Sequence, residues 1–336
     1  MNFSDVSYKS FVKSESEIIT LFYDKFADIP LLSRMDAVAE TFIDEIETLL
    51  NRDLPEEERI PLIEKFQKMY ETMDFYVLYN RFLKKEGYQT LPRRPLEKRK
   101  LRYEDVYPVL YLKYRLSRQA ERSNIKHLVI DEMQDYSRLQ YLIIRRMFSC
   151  KMTILGDRAQ TMADQQQDVL QFLPGIFGKD LRRIEMRKSY RNTVEIASYA
   201  ANLIGVTDLE LFERHGMPVL ERNVTDLEAA LREAVDTLFP DEKTYETAAG
   251  IVPDEKTAER AYLILREILA EKDFDCEKRL SWLNRDSSSF KKGLTVTTFY
   301  LAKGLEFDQV FSIFPKDEKR EMMMQAQYIA ATRALH

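Results

Sequence analysis

The 336 residues include only two cysteines, Cys150 and Cys276, nine glycines and one tryptophan. Two cysteines are too few for a disulfide framework and fit a reducing cytoplasm. No apolar run is long enough to cross a bilayer, and no signal-peptide pattern is found, so a membrane partner is not expected. Basic charge is not in excess either. The net charge of −5 supplies no global basic field, so any nucleic-acid contact has to come from a local basic groove. What is present is ordinary soluble composition, 45% hydrophobic and 32% charged. Few glycines and long amphipathic charged runs predict a helix-rich α/β chain, long enough for two domains with real cores.

The chain is organised around 126–157, KHLVIDEMQDYSRLQYLIIRRMFSCKMTILGD. A short apolar run, 127–130, ends in Asp131-Glu132. A helical pattern follows, with Leu139, Leu142, Ile143 and Met147 on one face. A second apolar run, 152–155, ends in Gly156-Asp157. Strand, helix and strand within about 30 residues read as a βαβ unit with parallel strands and a right-handed crossover. Both strands then deliver polar residues to the carboxyl edge of the sheet, where open α/β sheets bind ligands. Two acids at a strand end suit nucleotide hydrolysis. One carboxylate holds Mg²⁺, a hard cation that prefers oxygen and keeps part of its hydration. The next orients and deprotonates the attacking water. The dipeptide alone is equally an acid pair closing a buried strand.

Upstream, residues 1–122 read as mostly helical. Phe11, Ile18, Ile19, Phe22 and Phe26 are spaced for one face, and Met35, Val38, Phe42, Ile46 and Leu49 for another. A third helix starts near Pro61, runs through Ile63, Phe66, Tyr70, Met73 and Val77, and stops at Gly87. These aromatic stripes read as core. Residues 91–102, LPRRPLEKRKLR, set Arg93, Arg94, Lys98, Arg99, Lys100 and Arg102 against Glu97. Such a run is either a solvated linker or a phosphate contact, with Arg93 and Arg94 as the candidates. A further helix, interrupted by proline at Tyr107-Pro108, runs to about Arg122.

After Asp157, Gln160 stands just past a strand end, placed to bond a terminal phosphate or water, or simply to be solvated. Residues 163–178 predict a polar helix start and then a Pro-Gly loop. A strand is expected over 181–186. Arg191 follows, ahead of a helix over 193–204 that Asn192 or Thr193 can cap. An arginine there presents a planar donor fork to a phosphate, or makes a surface ion pair. Residues 217–224 predict a strand, 226–239 an amphipathic helix, 248–252 a strand, and a helix after that. Such alternation argues for a second α/β unit. Residues 293–314, GLTVTTFYLAKGLEFDQVFSIF, hold two β-rich runs around a turn in which Gly304 permits close approach and Glu306 offers an acceptor.

Together these stretches resemble the ordered motifs of UvrD/Rep-type superfamily 1 helicases. VIDEMQD is similar to motif II, ILGDRAQ to motif III, KSYRN to motif IV, TTFYLAKGLEFDQV to motif V and YIAATRA to motif VI. DEMQDYSRLQY, SYRNTVEIA and YLAKGLEFD look most like the HelD type, which associates with bacterial RNA polymerase. The resemblance covers about 125–336. It implies an α/β fold of P-loop NTPase (RecA-like) lobes with parallel sheets and a mostly helical insertion region. The expected domains are an insertion at 1–122, a partial first lobe at 123–188 and a second lobe at 189–336.

The resemblance also implies ATP and Mg²⁺ as cofactors. Asp131 would hold the metal and Glu132 act as the base. Gln160 would sense the γ-phosphate, while Arg191 and Arg333 reach it as arginine fingers. Tyr190, Lys303, Gly304 and Glu306 would lie near the nucleotide, and Thr297 and Thr298 near nucleic acid. The implied protein is a monomeric, cytoplasmic, ATP-dependent motor on DNA, with RNA polymerase as a further partner. Three departures stand against it. No G-x-x-x-x-G-K-[ST] phosphate loop occurs, so the phosphates lose their backbone cradle and lysine. Tyr300 replaces the usual histidine of motif V. TMADQQQ stands where a base-stacking aromatic segment follows motif III. The chain is therefore expected to be a piece of a larger protein, truncated at both ends and by itself a poor ATPase. A second reading, from a different class, is a non-catalytic RNA polymerase-binding factor with a nucleotide-sensing or silent motor scaffold.

Overall fold

The computed structural model describes residues 1–117, 124–157, 160, 169–186, 188–207, 210–238, 246–272, 275–287, 292–315 and 320–336. The chain forms two compact units, Met1–Leu155 with Val169–Leu181, and Gly156–Asp168 with Arg182–His336. No helix is long and apolar enough to cross a membrane among the described residues.

The first unit opens with an antiparallel hairpin, β1 (Val6–Tyr8) and β2 (Phe11–Lys13), rather than with helix. Phe11 therefore lies in a strand and not on the helical face expected for it. Helix α1 (Glu15–Thr20) starts at a capping box between Ser14 and Glu17, then widens into a single π turn at Leu21–Lys25. Helix α2 (Arg34–Leu50) buries Met35, Val38, Phe42 and Ile46 as the spacing predicts, but Leu49 is exposed. Asn51, at φ 48°, ends it.

Helix α3 (Glu56–Gln67) begins more than a turn before Pro61, which sits inside it. Three glutamates in its first turn suit the positive end of the helix dipole. Buried Leu62 and Phe66 offset the hydrogen bond that proline removes. The single helix expected from there to Gly87 is broken. Asp74 accepts from Tyr76 N–H at 2.9 Å and so starts a separate α4 (Phe75–Lys85). Helix α5 (Tyr103–Leu116) includes Pro108, and its expected extension to Arg122 lies outside the described residues.

The expected βαβ unit is present. Strand β3 (His127–Ile130) pairs in parallel with β4 (Lys151–Ile154), joined through α6 (Arg138–Met147). Ser137 and Gln140 form a capping box at the start of α6. Helix α7 (Val169–Phe177) contains Pro174 and Gly175, which the sequence placed in a loop. Val169 and Leu173, four apart, pack with Ile130 and Tyr141, and this burial overrides the weak local propensity.

The second unit is a three-layer α/β/α arrangement. Its small parallel pair is β5 (Lys188–Ser189) with β6 (Glu210–Leu211). The strands expected over 181–186 and 217–224 do not form. Ile184, Met186 and Met217 are exposed there with no sheet neighbour, and β propensity without a partner builds nothing. Helix α8 (Val194–Ile204) is capped by Thr193, and α9 (Leu227–Leu238) follows. Strands β7 (Thr247–Val252), β8 (Leu280–Trp282), β9 (Gly293–Thr298) and β10 (Gln309–Ser312) form one parallel sheet in the order β10-β7-β9-β8. Helix α10 (Glu255–Ala270) and α11 (Cys276–Arg279) precede β8, and α12 (Arg320–Ala331) comes last. Alternate residues of β7 serve two cores. Ala248 and Val252 pack with Leu231, Val235 and Leu265, whereas Ala249 and Ile251 pack with Phe307, Ala326 and Ile329.

Candidate functional site

The first unit holds Asp131 and Glu132 directly after β3. Glu132 has φ 52° and ψ 50°, a left-handed conformation that costs a residue with a Cβ about 1–3 kcal/mol. Its backbone N–H donates to Asp131 Oδ1 at 2.8 Å. Met133 N–H donates to Leu155 O at 2.8 Å, which fastens the turn to the end of the neighbouring strand. Tyr141 OH supports Met133 O at 3.1 Å. The buried Gln134 amide donates to Glu132 Oε2 at 2.5 Å and fixes the carboxylate. The exposed Asp131 and the half-buried Glu132 thus leave the sheet at its carboxyl edge, in a turn held by two hydrogen bonds to Glu132 and two to the Met133 backbone.

The second unit holds the remaining candidate residues. Gln160 donates to Asp157 Oδ2 at 3.0 Å, and Tyr328 OH donates to the same oxygen at 3.0 Å. Burial, then the charge of Asp157, pushes the Tyr328 hydroxyl well above its ordinary range, while Arg333 and Arg191 pull the other way. Arg191 pairs with Glu306 at 2.6 Å, with both side chains partly exposed. Tyr190 is exposed and packs beside Phe212 with ring centroids 5.6 Å apart. Arg333 is 1% exposed; it donates to Ile329 O at 3.2 Å and Thr332 Oγ1 at 3.1 Å.

After β9 the chain makes successive turns. Ala302 N–H donates to Thr298 O and Leu305 N–H to Ala302 O. Gly304 lies in those turns at φ 77°, with open space where a Cβ would stand, and Lys303 is half-buried. Phe307 N–H then donates to Arg333 O at 3.0 Å, so the segment carrying Glu306 and the segment carrying Arg333 run side by side. Thr297 is fully buried and its hydroxyl donates to Leu283 O at 3.2 Å. Thr298 is buried too, and its Oγ1 has no hydrogen-bond partner among the described residues. A separate cavity of about 420 Å³ in the first unit, lined by Tyr111, Arg115, Arg145 and Arg146 among others, contains none of these residues.

Comparison with known families decides how this arrangement is read. Residues 5–162 match the UvrD/REP helicase N-terminal domain. That stretch, just under half of the chain, includes the hairpin, α1 to α6 and β3 to β4, together with Asp131, Glu132 and Gln160. The likeness to UvrD-type helicases thus stands on a family match as well as on motif wording. No curated protein matches the chain. Among solved structures, the C-terminal domain of a possible DNA helicase from Lactobacillus plantarum WCFS1 is 24% identical over 44% of this chain and 83% of its own, with a TM-score of 0.33. So loose a likeness transfers no role.

Beside these candidate residues stand others that sequence reasoning did not single out. Asn192 Nδ2 donates to Ala334 O at 2.5 Å and Thr332 O at 3.3 Å, the carbonyls on either side of Arg333. Arg214 donates to Leu335 O at 2.8 Å and also to Arg191 O. These two side chains couple the Arg191 and Arg333 segments, which are far apart in the sequence. Asn192 was visible only as a helix cap, and nothing in the sequence marked Arg214. Asp157 closed an apolar run and drew no role, although it collects both Gln160 and Tyr328.

Proposed function

We propose that this chain is part of an ATP-driven DNA helicase or translocase of the UvrD type. The observation that carries the reading is Glu132. A glutamate held in a strained conformation at a strand end, beside Asp131 and inside a matched helicase domain, suits a catalytic base. Asp131 fits Mg²⁺. Its Oδ1 is used by the Glu132 amide, and its exposed position suits a hydrated cation held by one carboxylate and phosphate oxygens. The described residues contain no cluster of three or more His, Cys, Asp or Glu that would cage a metal without phosphate. Bound with ATP, the cation would neutralise developing charge.

Glu132 would orient the attacking water and take its proton. Gln160 would bond the terminal phosphate. Arg191, released from Glu306, and Arg333 would stabilise transition-state charge. Tyr190, Lys303, Gly304 and Glu306 would flank the nucleotide, and Thr297 and Thr298 would serve the nucleic-acid side. A helical insertion region at 1–122, a partial first RecA-like lobe at 123–188, a second lobe at 189–336, action as a monomer and a cytoplasmic location all belong to this reading. The chain as written has no phosphate loop, so it should turn over little ATP. A finer reading, a HelD-like factor acting on RNA polymerase, rests on the wording of DEMQDYSRLQY, SYRNTVEIA and YLAKGLEFD alone.

The test is Glu132→Gln in a form of the protein that carries a phosphate loop. Hydrolysis should fall about 100-fold or more while ATP binding is kept. Unchanged turnover would sink the assignment.

A further inference from the structure

The basic stretch after α4 divides by partner. Two of its arginines, the part-buried Arg99 and the more exposed Arg102, are matched by acids. Arg99 pairs with Asp74 at 2.5 Å, bonds Arg94 O at 3.0 Å and lies 4.9 Å from the Tyr76 ring centroid. Arg102 pairs with the buried Asp105 at 2.6 Å, and Asp105 also accepts from Tyr79 OH at 2.8 Å. Arg93, Arg94, Lys98 and Lys100 are exposed, and their side chains have no acidic partner among the described residues. Glu97 is the one acid between 91 and 102.

The loop that carries them is pinned. Leu91 is buried with Tyr76, Tyr79 and Leu83. Asn80 grips its backbone twice, accepting from Leu91 N–H at 2.7 Å and donating to Leu91 O at 3.3 Å. Tyr76 OH holds Pro92 O at 2.7 Å. Pro92 and Pro95 fix their own φ, so little conformational freedom remains. Cations presented by a stiff loop lose little entropy when they bind. A merely solvated linker needs no such anchoring. Tyr103 follows at the start of α5, 78% exposed, three residues after Lys100, with its ring in a T-shaped contact with Tyr107 at 6.1 Å between centroids.

From this asymmetry we infer that the outer face of loop 91–100, with Tyr103, is a docking surface for single-stranded nucleic acid. Phosphates meet the four unpaired cations and a base stacks on Tyr103. In an acidic chain this is a local field of opposite sign. The choice of polyanion rests on the helicase reading; the geometry of the surface does not.

The experiment measures fluorescence anisotropy of a labelled oligo-thymidylate with this chain across a salt series. One variant combines Arg93→Ser, Arg94→Ser, Lys98→Ser and Lys100→Ser. Affinity at low salt should fall about tenfold or more, and the log–log salt slope should shrink by roughly 2 to 3. Tyr103→Ala should weaken binding about fivefold or more and leave the slope alone. An unchanged melting temperature certifies each variant as folded; if the quadruple variant melts early, the double Lys98→Ser, Lys100→Ser should show about half the slope change. Wild-type chain that ignores the oligonucleotide, a quadruple variant that binds like wild type, or equally tight binding of a duplex would each overturn the inference. Competition by polyglutamate as strong as by oligo-thymidylate would overturn it in favour of a basic partner site for acidic proteins. None of these residues belongs to the Asp131 to Arg333 set, so a failed Glu132→Gln test leaves this result standing, and the reverse also holds.

Discussion

Two of the molecule's parallel sheets are built by different means. In the second unit, β7 and β9 are buried along nearly their whole length; β7 has apolar core on both faces, and β9 sets Leu294 and Val296 in one core with buried Thr295 and Thr297 on its other face. In the first unit, β3 and β4 are covered on one side only. Leu128, Ile130 and Ile154 meet the core, but Val129 is 60% exposed and His127 bonds Thr153 across the open face. Parallel sheet is ordinarily covered on both faces. The covered sheet takes its geometry from packing. The half-covered pair fixes its carboxyl end through named polar ties, from Asp131, Gln134, Tyr141 and the Leu155 carbonyl. Solvent-facing acids can thus be held firmly at the end of a strand that is covered on one side only.

The largest effect expected from this contrast is at Gly293, which opens β9. It has φ 113°, and a Cβ there would lie 2.1 Å from Arg279 O. Gly293→Ala should destabilise the second unit by roughly 3 kcal/mol, from backbone strain and overpacking together. A melting temperature unchanged by this substitution would mean that packing does not set the register of the covered sheet.

A matched pair sharpens the comparison. Val296 in β9 is 0% exposed and Val129 in β3 is 60% exposed. Val296→Ala removes two methyl groups from a filled core and should cost about 2 kcal/mol, whereas Val129→Ala should stay within about 0.5 kcal/mol. Denaturant unfolding followed separately in each unit reads both. Equal costs at the two positions would erase the distinction between the sheets.

How far these features were legible follows from the same physics. The βαβ unit, α9, α10 and the strands at 247–252, 293–298 and 309–312 carried strong periodicity with polar residues at their ends, and they formed near the expected places. The hairpin at 6–13 is too short for a pattern to register. The break before Asp74 was hidden because the apolar stripe continues across it. The false strands at 181–186 and 217–224 had propensity but no partner, which only three-dimensional neighbours reveal. At the site, single residues such as Asp131 and Glu132 stood out because motif and strand end coincide. Asn192 and Arg214 act through backbone carbonyls contributed by 191, 332, 334 and 335, and a carbonyl leaves no trace in residue identity.

The smallest effect asks whether polar ties also hold a segment that has no sheet at all. Residues 213–216 run past the start of α8, and Glu195 in the first turn of that helix binds them through His215 Nδ1 at 2.9 Å and Gly216 N–H at 2.8 Å. The His215 hydrogen bond first, then Gly216, lowers the Glu195 carboxyl from an ordinary 4.5 to about 2. A depressed carboxyl contributes stability that is fully present above its unfolded value and disappears as pH falls through the folded one. The tie should therefore hold above about pH 4.5 and fade toward pH 2. Carboxyl-carbon NMR of Glu195 should show a midpoint near 2, and His215→Ala should raise it while Gly216 keeps it below 4.5. A wild-type midpoint near 4.5 would show that the segment rests on α8 without being tied to it, and polar anchoring would then be a property of the Asp131–Glu132 turn rather than a habit of the whole chain.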